Sequence, residues 1–199
     1  MFRSGKSVLV VILALIVVIV GFGASSYNHL VRLDQAVKAQ WSQVENVYQR
    51  RADLVPNLVE TVKGAAKFEK DTLTAVTEAR ARVGQLPAGG PPADPAALAK
   101  FQQAQDQLSS SLSRLLVVAE QYPELKATAN FRDLQVQLEG AENRITVERM
   151  RFGEVAQAFN STRDTFPTAI VAGLFGGRFA EKAYFTANAG AATAPRVQF

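Results

Sequence analysis

The sequence has no cysteine and only one histidine, His29, in 199 residues. Without cysteine, disulfides, iron–sulfur clusters, thiolate zinc sites and lipid-modified cysteines are excluded. That absence is compatible with either side of a membrane. A di-iron bundle needs Glu-x-x-His pairs, but residue 26, three before His29, is serine. Standing beside a long apolar run, His29 reads as an interfacial polar residue, which removes Ser-His-Asp catalysis and most zinc hydrolase sites. An excess of one charge is missing too. The 22 Lys and Arg and 18 Asp and Glu are interleaved, for a net charge of +4. Such patterning marks solvated helix faces. With no basic stripe and no recognition motif, nucleic acid is not an expected partner. No cofactor is expected either.

What the chain does have begins near its N-terminus. Val8 to Val20 is an unbroken apolar run, extended by Gly21, Phe22, Gly23 and Ala24. At about 1.5 Å per residue it is just long enough to cross a bilayer. Arg3 and Lys6 precede it, and the next strong positive charge is Arg32. By the positive-inside rule the N-terminus is expected in the cytoplasm and the following domain outside it. A cleaved signal peptide is the rival reading, given the small residues at 23–26, but the run is longer than a usual signal core. The expected organisation is a short flank at 1–6, a membrane anchor at 7–26, a helical domain at 27–166, and an amphipathic segment with a flexible tail at 167–199. On this division about six residues precede the anchor.

Beyond the anchor, apolar residues recur at helical spacing. Leu30, Val37, Val44 and Leu58 lie in one seven-residue register that also contains Arg51, and Leu33, Val47 and Leu54 lie three residues beyond. Trp41, Tyr48, Val55 and Val62 form an adjacent row. This pattern predicts a long first helix to about Lys63, stopped by Gly64. Pro56 is expected to kink or split it near Asp53, a candidate N-cap. A second helix is expected over 65–85, with Phe68, Thr72, Val76, Ala79, Val83 and Leu86 inside. Pro87–Pro95 is the clearest loop, and Asp94-Pro95 the clearest helix start. The third helix should place Leu98, Phe101, Gln105, Leu108, Leu112, Leu115 and Ala119 inward and end at Tyr122-Pro123. The fourth carries Phe131, Leu138, Ile145, Phe152, Phe159 and Phe166 at strict seven-residue spacing, with Leu134, Ala141 and Val155 as companions and Glu148 and Thr162 as polar members. Pro167 closes it. The expected fold is all-α: a transmembrane helix followed by an antiparallel up-down four-helix bundle with a long first helix.

Two blocks are specific enough to carry a resemblance. One runs from Tyr27-Asn28-x-Leu30-Val31 through Trp41-Ser42-x-Val44 and Tyr48–Val59 to Thr61-Val62-Lys63-Gly64. The other is Leu134–Ile145, followed by Phe159-Asn160 and Phe166-Pro167. Together they resemble the LemA family over about residues 1–185. Ala65, Phe68 and Gly153 depart from that pattern, standing where Tyr, His and Asn are usual. The resemblance implies an N-terminal membrane segment and a helical bundle, with no enzymatic activity established for the family. It also implies genes neighbouring those of TPM-fold membrane proteins or a membrane zinc protease, and one relative engaged in building magnetosome membranes.

The densest polar groups beside the apolar rows are Arg50, Arg51 and Asp53 with Asn57, and Glu139, Glu142, Asn143 and Arg144. Either these are two helix surfaces in water, or they form a polar layer that fixes helix pairing and register. Counting heights from the membrane places Arg51–Asn57 beside Glu139–Arg144, with a helix-four carboxylate for Arg50 or Arg51. Asn143 or Arg144 would then meet the carbonyls freed by Pro56. Three functions compete. The first is a non-enzymatic envelope scaffold or adaptor whose partners are the lipid bilayer, other membrane or envelope proteins, or further copies of itself. The second is an envelope-polymer hydrolase using Glu139 and Glu142. The third is a sensor working through a partner.

Overall fold

The computed structural model describes residues 3–64, 69–87 and 89–186, without the side chains of Arg3, Ser4 and Lys6. Among these residues all regular structure is helical: α1 (Arg3–Lys63), α2 (Lys70–Gly84), α3 (Pro95–Ala119), α4 (Pro123–Lys126), α5 (Ala129–Asp164), α6 (Thr168–Leu174) and a 3₁₀ turn (Gly176–Phe179). The expectations for Ala65, Phe68, Ala88 and the tail beyond Thr186 lie outside the described residues, as do the side chains of Arg3 and Lys6.

α1 contains a stretch apolar enough to cross a membrane, none of it buried. From Leu30 onward the same helix buries one stripe. The split expected near Asp53 does not occur. Pro56 lies inside a continuous α1, and Asp53 accepts a hydrogen bond from Gln49 at 2.8 Å instead of capping. Proline has no N–H for the carbonyl four residues back. That carbonyl, on Ala52, is met by Arg80 Nε of α2 at 3.0 Å. A tertiary donor therefore replaces the missing helical one, and it is neither Asn143 nor Arg144.

The chain forms two compact units. In the first, Met1–Ala39 with Glu154–Lys182, Leu30, Val37, Ala156, Phe159, Val171, Ala172 and Phe179 are buried. Tyr27 packs on Phe175 and Phe179, with ring centroids 4.7 and 5.5 Å apart.

In the second unit, Gln40–Gly153 with Ala183–Phe199, one cluster joins Leu54, Val55, Leu58, Val59 and Val62 of α1 to Val76 and Ala79 of α2. It continues through Leu108, Leu112, Leu115 and Ala119 of α3 to Phe131, Leu134 and Leu138 of α5. A neighbouring aromatic group centres on Trp41, whose ring lies 5.1 Å from Phe101 and 5.2 Å from Phe152. The start of α3 is as expected: Asp94 accepts from the Ala97 N–H at 2.7 Å, with Pro95 in the first turn.

Three other expectations need correction. Pro123 opens the short α4 as well as following the end of α3. The phenylalanine row holds through Phe159, but Phe166 is 78% exposed. α5 ends at Asp164, so Phe166 has left the helical register that would turn it inward. Val155 is half-buried, and its neighbour Ala156 is the buried member of that turn.

Candidate functional site

Arg51 occupies a core position of α1 and is 1% exposed. Its guanidinium ties three helices of the second unit. Nη1 donates to Glu142 Oε1 on α5 at 2.7 Å and to Ser109 Oγ on α3 at 2.5 Å. Nη2 donates to Gln105 Oε1 at 2.6 Å and to the Gln105 carbonyl at 3.1 Å. Ser109 Oγ also donates to Glu142 Oε1 at 3.2 Å. The Arg51 Cζ lies 5.2 Å from the Tyr48 ring centroid, where the ring face attracts a cation. Nε is buried without a hydrogen-bond partner. The Glu142 side chain is 45% exposed, so this ion pair is buried on its cationic side and wet on its anionic side.

Beside the pair is a polar cavity of about 280 Å³, whose walls include Tyr48, Gln105, Asp106, Ser110, Thr146 and Arg149. Burial raises the Tyr48 pKa above its ordinary value, more than Arg149 and Arg51 lower it, and Asp106 and Glu142 act in the same direction as burial. Tyr48 is therefore a neutral phenol offering a ring face, with no titration near neutral pH.

Of the polar residues singled out in the sequence, the fold brings together Arg51 and Glu142. Arg50, Asp53, Asn57, Glu139, Asn143 and Arg144 are exposed. Glu139 accepts from Gln135 on its own helix at 3.1 Å. Glu139, Glu142 and Asn143 do share an open cleft of about 530 Å³. Glu148, also in a core register, is half-buried. It accepts from Gln40 at 2.6 Å and pairs with Arg151 at 2.9 Å.

Sequence reasoning missed how the segment after α6 is held. In the second unit the Gln102 amide reads the backbone of Thr186 both ways, donating to its carbonyl at 2.7 Å and accepting from its N–H at 3.2 Å. Phe185 lies 6.0 Å from Trp41 and 5.7 Å from Phe152, with Arg149 4.6 Å over its face. In the first unit the Asn160 amide does the same for Lys182, at 2.9 Å in each direction. Lys182 Nζ meets Asp34 Oδ1 at 2.7 Å, and Lys38 meets Oδ2 at 2.7 Å. Burial pushes the Asp34 pKa up, but the hydrogen bonds and charges of the two lysines together outweigh it, and the carboxyl titrates below its ordinary value. The available signal was a buried-register amide: Gln102 adjoins the stripe residue Phe101, and Asn160 follows Phe159 in a motif the sequence had already marked.

Magnetosome proteins MamQ 1 and MamQ 2 of Paramagnetospirillum magneticum are each 24% identical over 174 residues, covering 78% of this chain and 63% of theirs. Protein LemA of Metamycoplasma hominis is 25% identical over 145 residues, covering 73% of this chain and 63% of its own length. The chain thus spans less than two thirds of these relatives. The pattern of the LemA family matches residues 40–199, which include the Arg51 centre and both amide-held segments, and the chain belongs to the LemA family.

Proposed function

We propose that the protein is a membrane-anchored, non-catalytic scaffold of the cell envelope, with residues 7–26 in the bilayer and residues 27–166 forming an antiparallel four-helix bundle outside the cytoplasm. The observation that carries this reading is the continuity of α1. One unbroken helix joins a wholly exposed apolar stretch to a packed helical core. In water such an exposed stretch is strongly unfavourable; in a bilayer it is at rest. The order of the ties between α1 and α5 supports the antiparallel arrangement, since Gln40 meets Glu148 while Arg51, further along, meets Glu142.

The polar centre supports a structural role. The Arg51 Nη atoms are spent on α3 and α5, and Glu142 is neutralised by Arg51, so a hydrolase would have to use a carboxylate already committed to holding helices together. In this reading Arg51, with Glu142, is the fastener that sets helix register. Arg50, Asp53, Asn57, Glu139, Asn143 and Arg144 form the exposed surface offered to envelope proteins or further copies of the chain. Alkaline extraction of membranes bearing the full chain tests the anchor: it stays in the pellet if the reading holds, and release into the supernatant overturns it. Reporter fusions after the last residue test the orientation. Activity of a reporter that works only in the cytoplasm would reverse it.

A further inference from the structure

The segment after α5 carries two apolar faces where its length needs one. Val171, Ala172 and Phe179 face inward and are buried, while Phe166, Ile170, Leu174 and Phe175 stay 78%, 57%, 78% and 50% exposed. Ile170 and Leu174 are one helical turn apart on α6, so they share a face. No aspartate or glutamate occurs from Thr165 to Ala180, whereas Arg178 does. Exposed apolar side chains on and beside a short helix, with an arginine and no acid among them, are the composition of an element that lies in a membrane interface. By contrast Val136, 67% exposed on α5, has Arg132, Asp133, Glu139 and Gly140 as its helical neighbours and is an isolated surface residue of the ordinary kind.

What covers the patch is indicated by where the unit places it. Phe175 packs against Tyr27 at 4.7 Å, and the Arg178 guanidinium lies 5.4 Å over the same ring. Tyr27 is three residues past Ala24, where the exposed apolar run of α1 ends, or about 4.5 Å along the helix. Through Phe175, this end of the patch therefore lies within one helical turn of the apolar run of α1. Tyr27 and Arg178 are residue types that favour the layer where a membrane helix meets headgroups.

We propose that Phe166, Ile170, Leu174 and Phe175 form a lipid-contacting surface: α6 lies in the outer part of the bilayer beside the emerging anchor, with Arg178 reaching anionic headgroups. This rests on the anchor reading above and adds a second, interfacial contact that would fix the tilt and rotation of α1. The absence of native cysteine permits a direct test. In the full chain, Val17→Cys, Ile170→Cys, Leu174→Cys and Val136→Cys are each labelled with one fluorophore. The proteins are then reconstituted into phosphatidylcholine–phosphatidylglycerol vesicles with brominated acyl chains. Labels at Ile170→Cys and Leu174→Cys are expected to lose fluorescence as the Val17→Cys label does, and the Val136→Cys label to keep it. Loss at Val17→Cys with none at the two α6 positions overturns this proposal and leaves the anchor standing. No loss at any of the three overturns both. Equal loss at Val136→Cys overturns the claim that the patch is the contacting surface.

Discussion

The two halves of α1 meet different surroundings and are composed for them: twelve of the thirteen residues Val8–Val20 are valine, leucine or isoleucine, against eleven of the thirty-three residues Leu30–Val62. Across Val8–Val20 the large side chains are between 50% (Ile16) and 68% (Val18) exposed, with no buried side. Across Leu30–Val62, exposure falls to 3% or less at Leu30, Val37, Trp41, Val44, Tyr48, Arg51, Val55, Leu58 and Val62, at steps of three, four and seven. Composition and periodicity both separate the halves: the first is apolar on every side, the second along one stripe only. One continuous helix therefore carries a span that wants hydrocarbon on every side and a span that wants protein on one side and water on the other.

Substitutions that act on one half alone test this contrast most strongly. Trp41→Ala should cost about 3–5 kcal/mol of folding stability, seen as a lower Tm in detergent, without changing the membrane-bound fraction. Leu13→Arg should do the reverse, costing about 3 kcal/mol of apparent insertion free energy, seen as less chain in the membrane pellet with an unchanged Tm. If either change moved both readouts, the halves would not be separable.

The charged member of the second stripe gives the next effect. Glu142→Ala leaves a buried guanidinium without its counter-ion and should cost about 3 kcal/mol. Arg51→Met removes the charge, keeps much of the apolar stem and leaves behind a Glu142 that water can reach, so it should lose less. Thermal unfolding of both variants, and of the double variant, checks the order. Equal, additive losses would mean the two groups are not coupled.

A smaller effect, about 1–3 kcal/mol, is expected for Arg80→Ala, which leaves the Ala52 carbonyl without its donor. In a Pro56→Ala background the helix supplies its own N–H, and the same substitution should cost less. An unchanged cost would show that Arg80 acts through something other than this carbonyl.

Asp34 should give the smallest effect, and one that depends on pH. Because its pKa is depressed in the fold, its ion pairs stabilise the protein above the unfolded carboxylate value of about 3.9, and that stability is lost as pH falls through the lower folded value. The stability gap between the wild type and Asp34→Asn should therefore stay constant from neutral pH to about 5 and close under more acidic conditions. A gap that widens with acid contradicts the assignment.

Much of this was legible in the sequence because heptad spacing is a property of one helix at a time. The rows through Trp41 and Val62, and through Phe131 and Phe159, needed no knowledge of their partners, and Arg51 was already in a core register. Its bond to Ser109 and its grip on Gln105 were not legible, since both depend on the relative register of α1 and α3. Pro56 misled for a related reason. Local chemistry argues for a break, and only the fold shows that Arg80 supplies the lost hydrogen bond. Phe166 failed by a simpler route: the spacing continued on paper two residues after the helix had ended. Gln102 looks like any other glutamine until an extended backbone is laid against it.

The Arg51 centre also has a history in time. Arg51 and Gln105 are 54 residues apart, and Arg51 and Glu142 are 91. At synthesis rates of about 5–20 residues per second, roughly ten seconds separate the guanidinium from its carboxylate. The neutral acceptors on α3 emerge first and the counter-charge last. Arg51 thus waits in water, or against an amide and a hydroxyl, through much of the chain's elongation, and it becomes a buried cation only when α5 has been made and can close over it.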